Sequence, residues 1–218
     1  MNQIGVKICG VTNPADAQAC ADLGADFIGL NFFPKSPRYI KVETARCIVQ
    51  AVPRNLAVGV FVDATATHIR RVAHEIGLTV VQLHGNVTAE TCSELAAEFR
   101  VIRALSTHTR FKPEEAISFR NCDLLIDAHD SQQRGGTGEL CDWSAARGAA
   151  CYTRFLILAG GLNAQNVADA IAVVSPHAVD VCSGVEKKAG LKDHAAVAAF
   201  VAAVRNATGI AISPPANV

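Results

Sequence analysis

Eight short apolar, β-branched runs recur along this chain at intervals of roughly 20 to 32 residues, each followed by a polar or glycine-rich patch and then an alanine-rich segment. They occupy residues 6–9, 27–32, 57–62, 80–84, 101–106, 124–128, 155–159 and 179–183. Their apolar character is nearly continuous rather than alternating, which suits parallel strands covered on both faces. The intervening segments carry helix signals. Residues 14–23 open with Asn13 as an N-cap and Pro14 at the first helical position, and Gly24 supplies a stop. Further helices are expected over 42–51, 66–76, 89–99, 164–174 and 192–204, with shorter ones near 113–119 and 143–148. Eight strand–helix units can form an open doubly wound sheet or close into a barrel. The count favours closure, because open sheets of this kind more often have five or six strands. A chain of 218 residues also suits one core, since a domain of this size buries roughly 70% of its extended surface. The expectation is a single-domain (β/α)8 TIM barrel over residues 1–209 with a loose tail at 210–218, where two prolines sit together.

Charge and cysteine usage narrow the partners. Twenty basic side chains balance twenty acidic ones, leaving no long-range field to gather nucleic acid or anionic lipid. The chain lacks a basic start followed by a long apolar stretch and has no run of 18 apolar residues, so neither a signal peptide nor a membrane span is expected and the expected location is cytoplasmic. Eight cysteines at positions 9, 20, 47, 92, 122, 141, 151 and 182 never form C-x-x-C, so reduced thiols and no metal site are expected. Small-molecule ligands remain open, and the chain is expected to act as a monomer or a homodimer.

In a barrel of this kind function sits where the strands end. Strand one ends in Cys9-Gly10, strand two leads into a loop through Arg38, and strand four ends in His84-Gly85. Strand six ends in Asp127 before a loop containing G-G-T-G (135–138), strand seven leads into Gly160-Gly161, and strand eight carries Asp180 before Ser183-Gly184. Glycine turns after the last two strands let backbone N–H groups approach an anion closely. Either turn alone reads as a plain strand exit; together, at the seventh and eighth positions, they point to phosphate. Cys9 and Asp127 would face one small substrate across the barrel mouth, a thiol and a carboxyl suited to acid–base work. Taken singly, Cys9 reads as a small buried hydrophobe, Asp127 as a loop cap, His84 as a satisfied structural histidine and Arg38 as a surface arginine. The alternative for Arg38 is a bidentate grip on a carboxylate.

The motifs together resemble the phosphoribosylanthranilate isomerase family. The resemblance is carried by K-I-C-G (7–10), G-L-N-F-F-P-K-S-P-R-Y-I (29–40), V-Q-L-H-G (81–85), L-I-D-A (125–128), G-G-T-G (135–138), D-W-S (142–144), L-A-G-G-L-N-A-Q-N-V (158–167) and V-D-V-C-S-G-V-E (179–186). It implies a cofactor-free, metal-free barrel that performs an Amadori rearrangement of N-(5-phosphoribosyl)anthranilate. It further implies Cys9 as general base, Asp127 as general acid, Arg38 as partner of the anthranilate carboxylate, and the Gly160-Gly161 and Ser183-Gly184 loops as the phosphate site, with His84 and Asp180 also substrate-binding. Cys141 and Cys182 stand where the family commonly has a phenylalanine and a small residue, and are expected to affect only packing beside the chemistry. The mechanism needs a thiolate and a protonated carboxyl. At unperturbed pKa values reaching those forms at pH 7 would cost about 2 and 4 kcal/mol, so the site must shift both.

Three alternatives compete. The related isomerase of histidine synthesis pairs two aspartates and binds two phosphates, whereas strand one here offers Cys9. A silent phosphometabolite sensor would lose the acid and base. A redox-active thiol protein needs a resolving cysteine beside Cys9, and Cys20, nearest in sequence, is expected on a helix facing away from the rim.

Overall fold

The computed structural model describes residues 3–107, 111–127 and 143–208. The G-G-T-G segment, Cys141, Asp142 and the 210–218 tail therefore lie outside the described residues. Eight parallel strands close into a barrel in chain order: β1 (Gly5–Cys9), β2 (Phe27–Asn31), β3 (Ala57–Val62), β4 (Val80–His84), β5 (Arg100–Ser106), β6 (Asp123–Asp127), β7 (Leu156–Ala159) and β8 (Ala178–Val181). Around it lie α1 (Pro14–Asp22), α2 (Val42–Ala51), α3 (Ala66–Ile76), α4 (Ala89–Leu95), α5 (Trp143–Ala149), α6 (Val167–Val174) and α7 (His194–Ala207), with a 3-10 helix at Pro113–Phe119 between β5 and β6. The expected (β/α)8 barrel is the observed fold.

Local chemistry accounts for the helix starts. Asn13 Oδ1 accepts from the Asp16 N–H at 2.8 Å with Pro14 following, Thr65 and Thr88 cap α3 and α4, and Asp193 caps α7 through the Ala195 and Ala196 N–H groups. Two segments start later than expected. The helix expected from 164 begins only at Val167, because Asn163 and Asn166 exchange side-chain-to-backbone bonds that hold a turn. The helix expected from 192 begins at His194, because Lys192 belongs to a two-stranded antiparallel hairpin, β9 (Glu186–Lys188) and β10 (Leu191–Lys192). That hairpin delivers two charged side chains to the rim.

The strand period of two divides each strand between two cores. Val6, Ile8, Val81, Leu83, Leu124, Ile126, Val179 and Val181 face the helices in the large outer core. Val58, Val80, Ile102, Ala104, Leu125, Ile157, Ala159 and Ala178 fill the barrel interior. Continuing that alternation toward the strand ends sends Cys9, His84, Asp127 and Asp180 inward, on the interior face of the barrel. Lys7 breaks the apolar pattern. It is fully buried, and its Nζ pairs with Asp180 Oδ1 at 2.9 Å. A buried charge without a partner would cost several kcal/mol, so the pair is obligatory as a pair.

Candidate active site

At the C-terminal rim a cleft of about 220 Å³ is lined by Asp127, Ala159, Gly160, Gly161, Leu162, Asp180, Cys182 and Ser183. Strands β6, β7 and β8 are consecutive in the barrel, which is why residues more than fifty positions apart share one wall. Gly160 and Gly161 have φ of +100° and +62°, conformations that side-chain-bearing residues rarely adopt, so the turn after β7 needs both. Gly184 does not line the cleft. It stands behind Ser183, and a Cβ there would collide with the Leu162 carbonyl, so the two glycine loops touch each other. Ser183–Val185 is a single 3-10 turn.

Cys9 joins this cleft through Cys182. The strands β1 and β8 are adjacent, and Ile8 pairs in register with Val181, which places Cys9 and Cys182 one step further along side by side. The Cys182 thiol beside Cys9 is the largest cause of a Cys9 pKa lowered to about 7. Burial opposes the shift, and the Lys7 charge reinforces it. Cys182 is pushed the other way by the Cys9 sulfur and by burial, so it is the thiol that keeps its proton. At pH 7 about half of Cys9 is then thiolate, against about 1% at its ordinary value. The expectation that Cys182 would affect only packing is incorrect: its thiol touches the proposed base. Gly29 on the neighbouring strand makes room, since a Cβ there would lie 2.8 Å from Cys9 Sγ and 3.2 Å from Lys7 Nζ.

A charged cluster sits on the other side of Cys9. Arg38 donates through Nε to Glu186 Oε1 at 2.9 Å and through Nη2 to Glu186 Oε2 at 2.6 Å. Lys192 Nζ donates to Glu186 Oε1 at 2.9 Å, to the Cys9 carbonyl and, at 3.3 Å, to the Cys182 carbonyl. Glu186 stays below the usual carboxylate range despite burial, because Arg38 and Lys192 hold its charge. Arg38 is thus anchored rather than loose, and among the described residues its side-chain hydrogen bonds run through Nε and Nη2 to Glu186. Gly10 lies beneath the Arg38 stem, where a Cβ would collide with Arg38 Cδ. His84 takes a hydrogen bond from Gln82 Nε2 on its own Nε2. Burial, followed by the Lys7 and Arg103 charges, lowers its pKa to about 4. It is a neutral imidazole at physiological pH and no proton donor by charge.

The structure therefore brings Asp127, Gly160, Gly161, Asp180 and Ser183 to one cleft, with Cys9 reaching it through Cys182 and Arg38 standing beside Cys9 on the Glu186 anchor. His84 lies outside the cleft lining. Sequence reasoning missed Lys7, Gly29, Cys182, Glu186 and Lys192 as parts of the site. A lysine inside an apolar strand was the one local signal available for Lys7. Among the described residues no group of three or more His, Cys, Asp and Glu side chains is arranged to hold a metal ion, and no helix is long and apolar enough to cross a membrane.

If the Cys182 thiol sets the Cys9 pKa, Cys182→Ala moves the acidic limb of kcat/KM upward from about pH 7. Each tenfold loss of thiolate at pH 7 then lowers activity there by up to about tenfold, and the deficit narrows as pH rises. Cys182→Ser retains a donor and holds the limb near its original place. An unmoved limb in the alanine variant would remove Cys182 from this account.

The family model described as N-(5'phosphoribosyl)anthranilate (PRA) isomerase matches residues 6–203. The N-(5'-phosphoribosyl)anthranilate isomerase of Thermotoga maritima is 42% identical over 208 residues, covering 95% of this chain and 100% of the relative. That of Desulforamulus reducens is 44% identical over 211 residues, covering 94% and 99%. A crystal structure of the Thermotoga maritima isomerase superposes with a TM-score of 0.85 at 41% identity, over 95% of this chain and 100% of that one. A structure of phosphoribosyl anthranilate isomerase in complex with reduced 1-(o-carboxyphenylamino)-1-deoxyribulose 5-phosphate superposes with a TM-score of 0.82 at 39% identity, again over 95% and 100%.

Proposed function

The chain belongs to the N-(5'-phosphoribosyl)anthranilate isomerase family and isomerises N-(5'-phosphoribosyl)anthranilate in tryptophan biosynthesis; from that premise we propose that Cys9 is its general base and Asp127 its general acid. What carries the proposal is the convergence of β1, β6, β7 and β8 on one cleft, where a carboxyl, two glycine loops and a thiol pair meet. The phosphate sits against the backbone of Gly160-Gly161 and Ser183, with Gly184 behind it closing the turn, where the positive-φ glycine turn and the Ser183 hydroxyl favour an anion. Asp180 faces the same space while holding the Lys7 charge.

With the phosphate fixed, the sugar spans the mouth between β6 and β1. Asp127 donates its proton to the ribose ring oxygen, and the ring opens to a Schiff base. The Cys9 thiolate removes the proton at C2 to give an enolamine, which tautomerises to the ketone 1-(2-carboxyphenylamino)-1-deoxyribulose 5-phosphate. The Cys182 thiol and then Lys7 lower the Cys9 pKa to about 7, so little free energy is needed to create the base. The anthranilate carboxylate takes the Nη1 edge of Arg38, whose other edge Glu186 fixes; a planar fork held on one side is well placed for bidentate recognition on the other.

The test is the loss of anthranilate fluorescence when the chain is added to enzymatically generated phosphoribosylanthranilate. Wild type is expected to quench the signal, and Cys9→Ala to leave it nearly unchanged. A wild-type rate in the variant would reject Cys9 as base.

A further inference from the structure

We propose that Cys9 and Cys182 form a reversible oxidation site, in which a hydroperoxide converts the two thiols to a disulfide that removes the base from the barrel mouth. Several observations place the sulfurs together. The residues follow the registered Ile8–Val181 pair on adjacent parallel strands. Such strands lie about 4.8 Å apart at that last registered pair, inside the about 4.4–6.8 Å Cα window that a disulfide needs, and Cys9 and Cys182 are the next residue on each chain segment. One ammonium, Lys192 Nζ, donates to both their carbonyls and holds the two backbones at one point. Cys182 Sγ lies 3.1 Å from where a Cβ on Gly10, the residue after Cys9, would stand, and each thiol shifts the pKa of the other. Both residues are partly exposed, and Cys182 lines the cleft, so a small oxidant reaches them.

The chemistry balances in two steps. The Cys9 thiolate attacks one peroxide oxygen; an S–O bond forms, the O–O bond breaks and hydroxide leaves, so Cys9 is oxidised to the sulfenic acid and the peroxide is reduced. The Cys182 sulfur then attacks the Cys9 sulfur; the S–S bond forms, the S–O bond breaks, and the departing hydroxide takes the Cys182 proton as water. Until the first step the Cys9 anion holds that proton in place, and oxidation of Cys9 removes the anion. Two thiols and one hydrogen peroxide thus give one disulfide and two waters. The sequence offers no such partner, because Cys182 lies 173 positions from Cys9 and only barrel closure makes them neighbours. In a second thiol pair, Cys92 and Cys122, each thiol likewise shifts the pKa of the other. Both of its members are buried in the outer core, at 1% and 6% exposure, so it serves as an internal comparison.

The experiment treats the reduced full chain with hydrogen peroxide, caps remaining thiols with an alkylating agent, and reads intact mass, the non-reducing peptide map and isomerase rate before and after dithiothreitol. The expected result is a mass lower by about 2 Da before capping and two fewer alkyl groups after it, a single link between the Cys9 and Cys182 peptides, and full recovery of the rate on reduction. Cys182→Ser is expected to gain about 32 to 48 Da at Cys9 and not to recover. Added oxygen on wild-type Cys9 without a linked peptide, a link at Cys92–Cys122 instead, or a lasting loss after reduction would each overturn the proposal. The wild-type map decides the matter even if the variant folds poorly. The fall in rate rests on Cys9 as base, but the bond does not: a mapped link with an undiminished rate would uphold the oxidation site and overturn the base assignment.

Discussion

Cys9→Ala and Asp127→Asn each lower kcat/KM by about 10²–10⁴-fold, the range that one positioned acid or base contributes. KM is expected to move much less in both, because the proposed mechanism gives phosphate and anthranilate binding to other groups, the two glycine loops and Arg38. The two substitutions fail at different steps. Without Asp127 the ring stays closed; without Cys9 it opens and waits. The double variant is therefore expected to be little worse than the poorer single one, since residues acting on one reaction coordinate are strongly non-additive. Steady-state rates for the three variants check this, and a Cys9→Ala variant with near-normal kcat would contradict it.

Lys7→Met destabilises the fold by about 3–5 kcal/mol, the cost of leaving a buried carboxylate without its partner. For a domain of this length that lowers Tm by about 10 °C. Lys7 has no exposed surface, so its charge is not replaced by water. The sign with pH follows from its shifted pKa: burial works against the ammonium, but Asp180 and then Cys9 outweigh it and raise the value. The stability that Lys7 supplies is accordingly complete below its ordinary 10.5 and is lost only as pH climbs through the raised value. Thermal melts of wild type and variant should therefore differ by a constant amount below pH 7, and by more as Cys9 ionises above it. Lys7→Met with Asp180→Leu is expected to recover much of the lost stability, because an apolar pair can replace a buried ion pair. It should not recover activity, since the cleft has lost the Asp180 carboxylate that lines it and an apolar leucine stands there instead. An unchanged melting temperature in the single variant would show that the pair does not matter.

These expectations draw on parts of the molecule that the sequence discloses unequally. The strands at Ala57–Val62 and Val80–His84 and the helices at Val42–Ala51 and Ala66–Ile76 have the bounds that patterning and capping residues indicate, because in each the local signals agree with tertiary packing. Apolar patterning carries the eighth strand through 183, yet Cys182 has already left it at φ −126° and ψ −84°. A glycine turn that folds back on the Leu162 carbonyl ends the strand early, and that contact is not local. Cys9 and Asp127 are legible because strand ends in a barrel are functional positions whatever the loops do. Lys7, Cys182 and Glu186 are not, for one physical reason. Each takes its meaning from a partner far along the chain, Asp180 173 positions from Lys7 and Arg38 148 positions from Glu186, and only the closed sheet reveals which pairs meet.

The proposed mechanism divides the labour, with Asp127 opening the ring and Cys9 taking the proton from C2. Substrate carrying deuterium at C2 separates the two acts. In Cys9→Ser the weakened base makes C–H cleavage limiting, and a primary isotope effect on kcat/KM larger than in wild type is predicted; in Asp127→Asn ring opening limits, and the effect falls toward unity. Equal isotope effects in the two variants, or the larger one in Asp127→Asn, would contradict the assignment.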